Sequence, residues 1–223
     1  MTSLEQLLHK NIEKAIHPDW HFTPVNADGG DAMVDGQVRR KRTVWHITEP
    51  ESEHNLLIVH ARDSIAFSLD QNGKKPFPFL GGTLAGLHTV ADCILVTEHN
   101  GGDYVFIIEM KNKPGHGARP QAIKQIHASA RLMDWLCKTL NALKHWEGTA
   151  VFIGVISYKP REQPRKGLSV RETPVPVQEG DVPIFELKNH PILDVPLLLT
   201  EWVAMGDAGD NVEGSSSMVR FSL

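Results

Sequence analysis

Three ionisable residues stand in segments otherwise built for burial: Asp92 in Ala91-Asp92-Cys93-Ile94-Leu95-Val96, and Glu109 and Lys111 in Val105-Phe106-Ile107-Ile108-Glu109-Met110-Lys111. Two carboxylates brought together among apolar neighbours repel each other and resist ionising unless a proton or a cation neutralises them. Hard cations such as Mg²⁺ are held by one or two carboxylates together with water and phosphate oxygens. A lysine beside such a pair can contact phosphate or orient and polarise an attacking water. Together the three side chains describe metal-assisted phosphodiester hydrolysis, in which the metal supplies Lewis acidity and a more acidic water and Lys111 stabilises charge on the pentacovalent phosphorus.

That chemistry requires a hairpin in the right register. Val90 to Thr97 and Tyr104 to Lys111 read as strands flanking His99-Asn100-Gly101-Gly102-Asp103, which contains the Asn-Gly step favoured in tight turns. A two-residue loop at Asn100-Gly101 makes paired positions sum to 201 and sets Asp92 opposite Glu109. A loop at Gly101-Gly102 makes the sum 203 and sets Asp92 opposite Lys111, whereas a three-residue loop sends Asp92 to the other face. Glu109 and Lys111, two apart on one strand, share a face. The competing structural account is a surface Glu109–Lys111 pair near a strand end, with Asp92 capping a loop.

The surrounding elements follow from periodicity. Thr2-x-x-Glu5 has the form of a capping box, and Leu4, Leu8, Ile12 and Ile16 follow at helical spacing, predicting an amphipathic helix over 3–16. Asn26 to Gly36 reads as loop, and Thr43 to Thr48, Asn55 to His60 and Ser64 to Leu69 read as short strands. Val105-Phe106-Ile107-Ile108 is apolar on both faces, as suits a central strand covered above and below. Pro120 suits the first turn of a helix whose apolar positions, Ile123, Ile126, Ala130, Met133, Cys137 and Leu140, run to about Leu143. Thr149 to Tyr158 is again β-branched and apolar, so Tyr104 to Tyr158 predicts a strand–helix–strand unit with parallel strands. Beyond it, seven prolines from Pro160 to Pro196 argue against long regular elements. Residues 1–205 read as a single domain, and 206–223, rich in Gly, Ser and acids, as a mobile tail.

Composition bounds the partners. The 223 residues carry 23 Lys+Arg and 27 Asp+Glu, a net charge of −4, which excludes a polycation. Charge is nonetheless local: Arg39-Arg40-Lys41-Arg42 is a basic run, and Lys111 to Arg131 holds Lys111, Lys113, Arg119, Lys124 and Arg131 without an acid. Association answers to such local fields, screened over about 8–10 Å, rather than to the sum. No run is long and apolar enough to span a membrane, and the first residues lack the features of a signal peptide, so the expectation is a cytoplasmic protein with no membrane partner. Cys93 and Cys137 sit in apolar segments and read as reduced core thiols.

On Ala91-Asp92-Cys93-Ile94-Leu95-Val96 and Ile107-Ile108-Glu109-Met110-Lys111, with the following helix and strand, the chain resembles the PD-(D/E)xK phosphodiesterase superfamily over about Leu87 to Tyr158. Ala91 stands where that pattern usually has proline. The resemblance implies an α/β fold with a restriction-endonuclease-like core, a mixed central sheet flanked by helices. It implies that Asp92 and Glu109 bind Mg²⁺, with Mn²⁺ as a substitute, and that Lys111 assists the water. A glutamine on the next helix, Gln125 or Gln121, would stand near the site, and an acid from an earlier helix, Glu13 in preference to Glu5, would add a ligand. Lys113, Arg119 and Lys124 would grip the phosphates of a nucleic acid, DNA rather than RNA, and a homodimer is compatible because cutting two strands takes two sites. Relatives often act in microbial defence or repair.

Other constellations are weaker. Phe185-Glu186-Leu187-Lys188 is a second ExK, but its nearest upstream acid, Asp181, is too close for a hairpin. His88, His99 and His116 lie near the motif in sequence without a metal-binding spacing, and no phosphate-binding GxxxxGK[ST] loop or nucleophile elbow occurs. Two alternatives to a nuclease stand: a nuclease fold serving as a binding or assembly module of a larger complex, and an unrelated α/β protein whose Asp92 and Glu109 would lie on different faces or far apart.

Overall fold

The structure, a computed structural model, describes residues 3–12, 21–26, 33–34, 37–38, 42–48, 56–69, 89–113, 117–159, 177–180, 182–188 and 192–209. In chain order its elements are α1 (Leu4–Ile12), β1 (His21–Asn26), β2 (Met33–Val34), β3 (Gln37–Val38), β4 (Arg42–Thr48), β5 (Leu56–Arg62), β6 (Ser64–Phe67), β7 (Cys93–His99), β8 (Gly102–Lys111), α2 (Ala118–Ala142), β9 (Ala150–Tyr158), β10 (Val177–Glu179), β11 (Val182–Leu187), β12 (Ile192–Asp194) and α3 (Val195–Gly209). The fold is α/β, with mixed sheets flanked by helices.

Six strands form the central sheet in the order β10-β11-β9-β8-β7-β6. β6–β7, β7–β8 and β10–β11 pair antiparallel, whereas β9 pairs parallel with both β8 and β11. The turn between β7 and β8 is the two-residue one: His99 pairs with Gly102, and Asn100 and Gly101 both take left-handed φ, 52° and 80°. Asparagine and glycine are the residues that most readily take that conformation, as a two-residue hairpin loop requires at both positions. The parallel β8–β9 pair joined by α2 is the expected crossover.

The apolar run on β8 is explained by cover on both sides. On one face Val105, Ile107, Ile94, Val96, Ile156 and Ile184 pack with Leu4 and Leu8 of α1 and with Ala122, Ile126, Ala130 and Met133 of α2. On the other face, Phe106, Ile108, Cys93, Leu95, Val155 and Phe185 pack against Trp45, Ile47, Leu57 and Val59 of a second, four-stranded sheet ordered β1-β4-β5-β12, and against Leu198 and Leu199 of α3. The second cover is therefore largely a sheet. β5 and β6 lie in different sheets yet are separated by one residue, Asp63, at φ 34°. A 2.8 Å hydrogen bond from Trp45 Nε1 to Ser64 Oγ ties the sheets at that corner.

Several expectations are corrected. Ser3 supplies a side-chain cap of α1, accepting from the Gln6 amide at 3.3 Å; Thr2 and residues 13–16 of the predicted helix lie outside the described residues. The Asn26–Gly36 stretch contains β2, which forms a small hairpin with β3. The proline-rich end carries a helix of 15 residues, α3, and it continues to Gly209, past the expected boundary at residue 205. Asp194 accepts from the Leu197 amide at 3.2 Å as its N-cap, and Pro196 falls in the first turn, where a missing N–H costs nothing. Residues 210–223 lie outside the described residues. Cys93 and Cys137 are buried free thiols, and burial pushes both up, Cys137 to about 12. Among the described residues no helix is long and apolar enough to cross a membrane.

Candidate active site

The strand register decides whether the acids meet. Pairing of Cys93 with Ile108 and His99 with Gly102 keeps every pair at a sum of 201, so Asp92, one step before β7, comes opposite Glu109. The two residues interlock: the Asp92 amide donates to Glu109 Oε2 at 3.2 Å, and the Met110 amide donates to Asp92 Oδ2 at 2.6 Å. The two acids thus meet on one face of the sheet instead of lying apart or on opposite faces.

Lys111 completes the group from the same face of β8. Its ammonium is hydrogen-bonded to Glu109 Oε1 and, at 3.0 Å, to Gln125 Oε1 of α2. Gln125 in turn donates from Nε2 to the Val90 carbonyl at 3.2 Å. α2 reaches this position because residue 154 of β9, beneath it, is glycine. A Cβ there would stand 2.8 Å from Ile126 Cγ2 and 3.0 Å from Ile184 Cγ1, inside the distances that real Cβ atoms keep.

The electrostatics are those of an under-neutralised acid. Glu109 is 1% exposed, Lys111 18%. Burial, reinforced by the negative charge of Asp92, pushes the Glu109 carboxyl up to about 8, against the hydrogen bond and charge of Lys111. One lysine does not satisfy two carboxylates in this setting. Burial and the Asp92 charge thus favour the neutral form of Glu109 more than in a free carboxyl. The donors fit a divalent cation: carboxylate oxygens are hard ligands with two lone pairs each, so one hydrogen bond leaves capacity to coordinate. Among the described residues no three His, Cys, Asp or Glu side chains converge. Asp92 and Glu109 are the residues here that could hold such a cation.

The remaining predicted residues divide. Gln125 is engaged, whereas Gln121, one turn earlier on α2, is exposed. Lys113 and Lys124 are exposed near Lys111 in sequence and on α2. Arg119 directs its guanidinium to Glu186 Oε1 at 2.6 Å, because β11 brings that acid under the first turn of α2. Glu13, His88 and His116 lie outside the described residues. Glu5 is remote, since its neighbour Leu4 donates its amide to Asp103 Oδ1 at 3.0 Å, and Asp103 is six residues, about 20 Å, from Glu109 along β8. His99 is likewise at the hairpin tip, packed edge-on to Tyr104 at 6.3 Å, and is not at the site. Two contributors escape the sequence reading, the Val90 carbonyl and Ser129, whose hydroxyl accepts from the Ala91 amide at 2.7 Å. The signal for Ser129 was available in its spacing: it follows Gln125 by four, on the same helix face.

Comparison of the chain with protein-family models, with curated proteins and with solved structures gives no match.

Proposed function

We propose that the chain is a divalent-metal-dependent nuclease with a restriction-endonuclease-like core. The observation that carries this reading is the interlocked Asp92–Glu109 pair with Lys111 on its flank, in which a 1% exposed carboxyl is pushed up to about 8 by burial and by its neighbour. A site of that kind favours a cation, and the lysine makes it suited to a phosphoryl centre. The order of antiparallel β7–β8, then α2, then parallel β9 supports the same fold reading.

Asp92 and Glu109 hold Mg²⁺ or Mn²⁺, which when bound supplies Lewis acidity and an acidified water. Lys111, steered by Gln125, places its side chain beside the reacting phosphate and stabilises the charge that develops there. Lys113 and Lys124 bind flanking phosphates, which makes affinity salt-sensitive. Arg119 braces β11 through Glu186. DNA is favoured over RNA.

The test incubates wild type and Lys111→Ala with labelled single- and double-stranded DNA and RNA, in Mg²⁺, in Mn²⁺ and in EDTA. Metal-dependent cleavage by wild type that falls at least ~100-fold in the variant supports the reading. No cleavage of any substrate by wild type transfers the case to a binding or assembly module.

A further inference from the structure

Ser129 lies on the buried side of α2, 0% exposed, and neither metal chemistry nor phosphate binding calls for it. Its hydroxyl accepts the Ala91 N–H at 2.7 Å, while Gln125, one turn earlier, donates to the Val90 carbonyl at 3.2 Å. The Val90 carbonyl and the Ala91 N–H are the two ends of one planar peptide unit. Two side chains four apart on a helix therefore hold a single peptide plane by both its polar ends. The next residue is Asp92, and the one after it, Cys93, is already locked into β7 opposite Ile108.

We infer that Ser129 is a positioning residue that, with Gln125, clamps the Val90–Ala91 peptide plane and so aims the Asp92 carboxylate at the Met110 amide and at Glu109. Asp92 is not a paired strand residue, so the register of β7 alone does not set its backbone. Fixing the preceding plane on one side and Cys93 on the other leaves Asp92 little rotational freedom. Its carboxylate meets the Met110 N–H at 2.6 Å only within that restricted range. Ala91 is 0% exposed, so its N–H has no water to turn to if the Ser129 oxygen is removed, and the plane must reorient to satisfy it. Gln125 alone cannot hold the plane, because it is also bound to Lys111 and pivots about a single contact. The same helix thus sets both the acid, through Ser129, and the base, through Gln125.

The effect on activity rests on the proposed nuclease function; the aiming of Asp92 does not. Ser129→Ala, which removes one oxygen, is compared with wild type and with Ser129→Thr, which keeps the hydroxyl. Amide hydrogen exchange is read at Met110 and, as an internal control, at Phe106 in the middle of β8. Mn²⁺ affinity is read by electron paramagnetic resonance, and cleavage by steady-state kinetics. In Ser129→Ala, Met110 exchange rises at least ~10-fold while Phe106 is unchanged, Mn²⁺ binds ~10-fold more weakly, and kcat falls ~10- to 100-fold with KM within twofold. Ser129→Thr restores each to within about threefold. Wild-type exchange at Met110 in a folded Ser129→Ala protein overturns the inference. Absence of both Mn²⁺ binding and cleavage in wild type overturns the nuclease reading instead, and Met110 exchange still decides the clamp. Should Ser129→Ala fail to fold, Ser129→Cys, which conserves volume but offers a weak acceptor, takes its place under the same criteria.

Discussion

Glu109-Met110-Lys111 on β8 and Glu186-Leu187-Lys188 at the end of β11 share the ExK pattern, and their glutamates occupy the same face of the same sheet. Both glutamates are in register with Ile156 of the strand between them. Their environments diverge. Glu109 is 1% exposed and confronted by a second acid, and burial together with Asp92 drives it up to about 8. Burial also pushes Glu186 upward, but the hydrogen bonds and charges of Arg119 and Lys188 outweigh it and hold the carboxyl below its usual value. One glutamate has an excess of negative charge around it and the other an excess of positive. A three-residue motif therefore carries little chemistry until the facing side chains are known: here Asp92 makes the difference at Glu109, and Arg119 of α2 with Lys188 at Glu186.

The largest expected effect separates the two pairs by activity. Asp92→Asn and Glu109→Gln each lower Mg²⁺-dependent cleavage on the order of 10³-fold, while Glu186→Gln leaves it within about threefold. Equal losses in a single-turnover assay would erase the distinction.

Acidity separates them next, with opposite signs. Glu109 is raised, so its contribution to stability is complete below about 4.5 and is lost as pH climbs towards about 8. Glu186 is lowered, so its contribution is present above about 4.5 and disappears as pH falls through its depressed value. Thermal melts in EDTA should show that Glu109→Gln flattens the alkaline decline and Glu186→Gln the acid one, and Mn²⁺ should rescue the alkaline side in wild type alone.

Gly154 lies on β9 between the two pairs, under Ile126 and beside Ile184. Gly154→Ala overpacks this contact and is expected to cost about 1–3 kcal/mol in urea unfolding. It also lifts α2 from Lys111, so kcat should fall with it; full activity in the destabilised variant would show that the helix position is not needed. Arg119→Ala gives the smallest effect. The Arg119 side chain is 35% exposed, and water screening limits the pair to about 0.5 kcal/mol, best resolved by a double-mutant cycle with Glu186→Gln.

Much of the site was legible because its determinants are local. The sequence confines the turn to a few alternatives around Asn100-Gly101, and the one adopted imposes the register that brings Asp92 to Glu109. Lys111 follows from strand alternation and Gln125 from helix periodicity. What stayed hidden depends on the chain folding back. The Ser129–Ala91 contact joins residues 38 apart, and nothing in a lone helical serine distinguishes a clamp from a core polar residue. The Arg119–Glu186 contact joins residues 67 apart, so a basic loop looked more available than it is. α3 was obscured by reading Pro196 as a breaker without noticing that Asp194, two residues earlier, makes it a first-turn proline. The second sheet escaped because β12 comes from the far end of the chain to lie parallel to β5.

The single-residue corner at Asp63 has a consequence for how the chain tolerates change. The Asn100-Gly101 tip is exposed and joins two strands already paired side by side in one sheet, so a peptide tag or a circular-permutation site there leaves both strands in their own layer. Asp63 has no such slack: an inserted residue would separate β5 from β6 and shift the strand order of one layer by a side-chain face relative to the other. The two sheets are thus joined like pages at a spine, and a split of this protein into separately expressed halves should fail when cut there and succeed when cut at the hairpin tip.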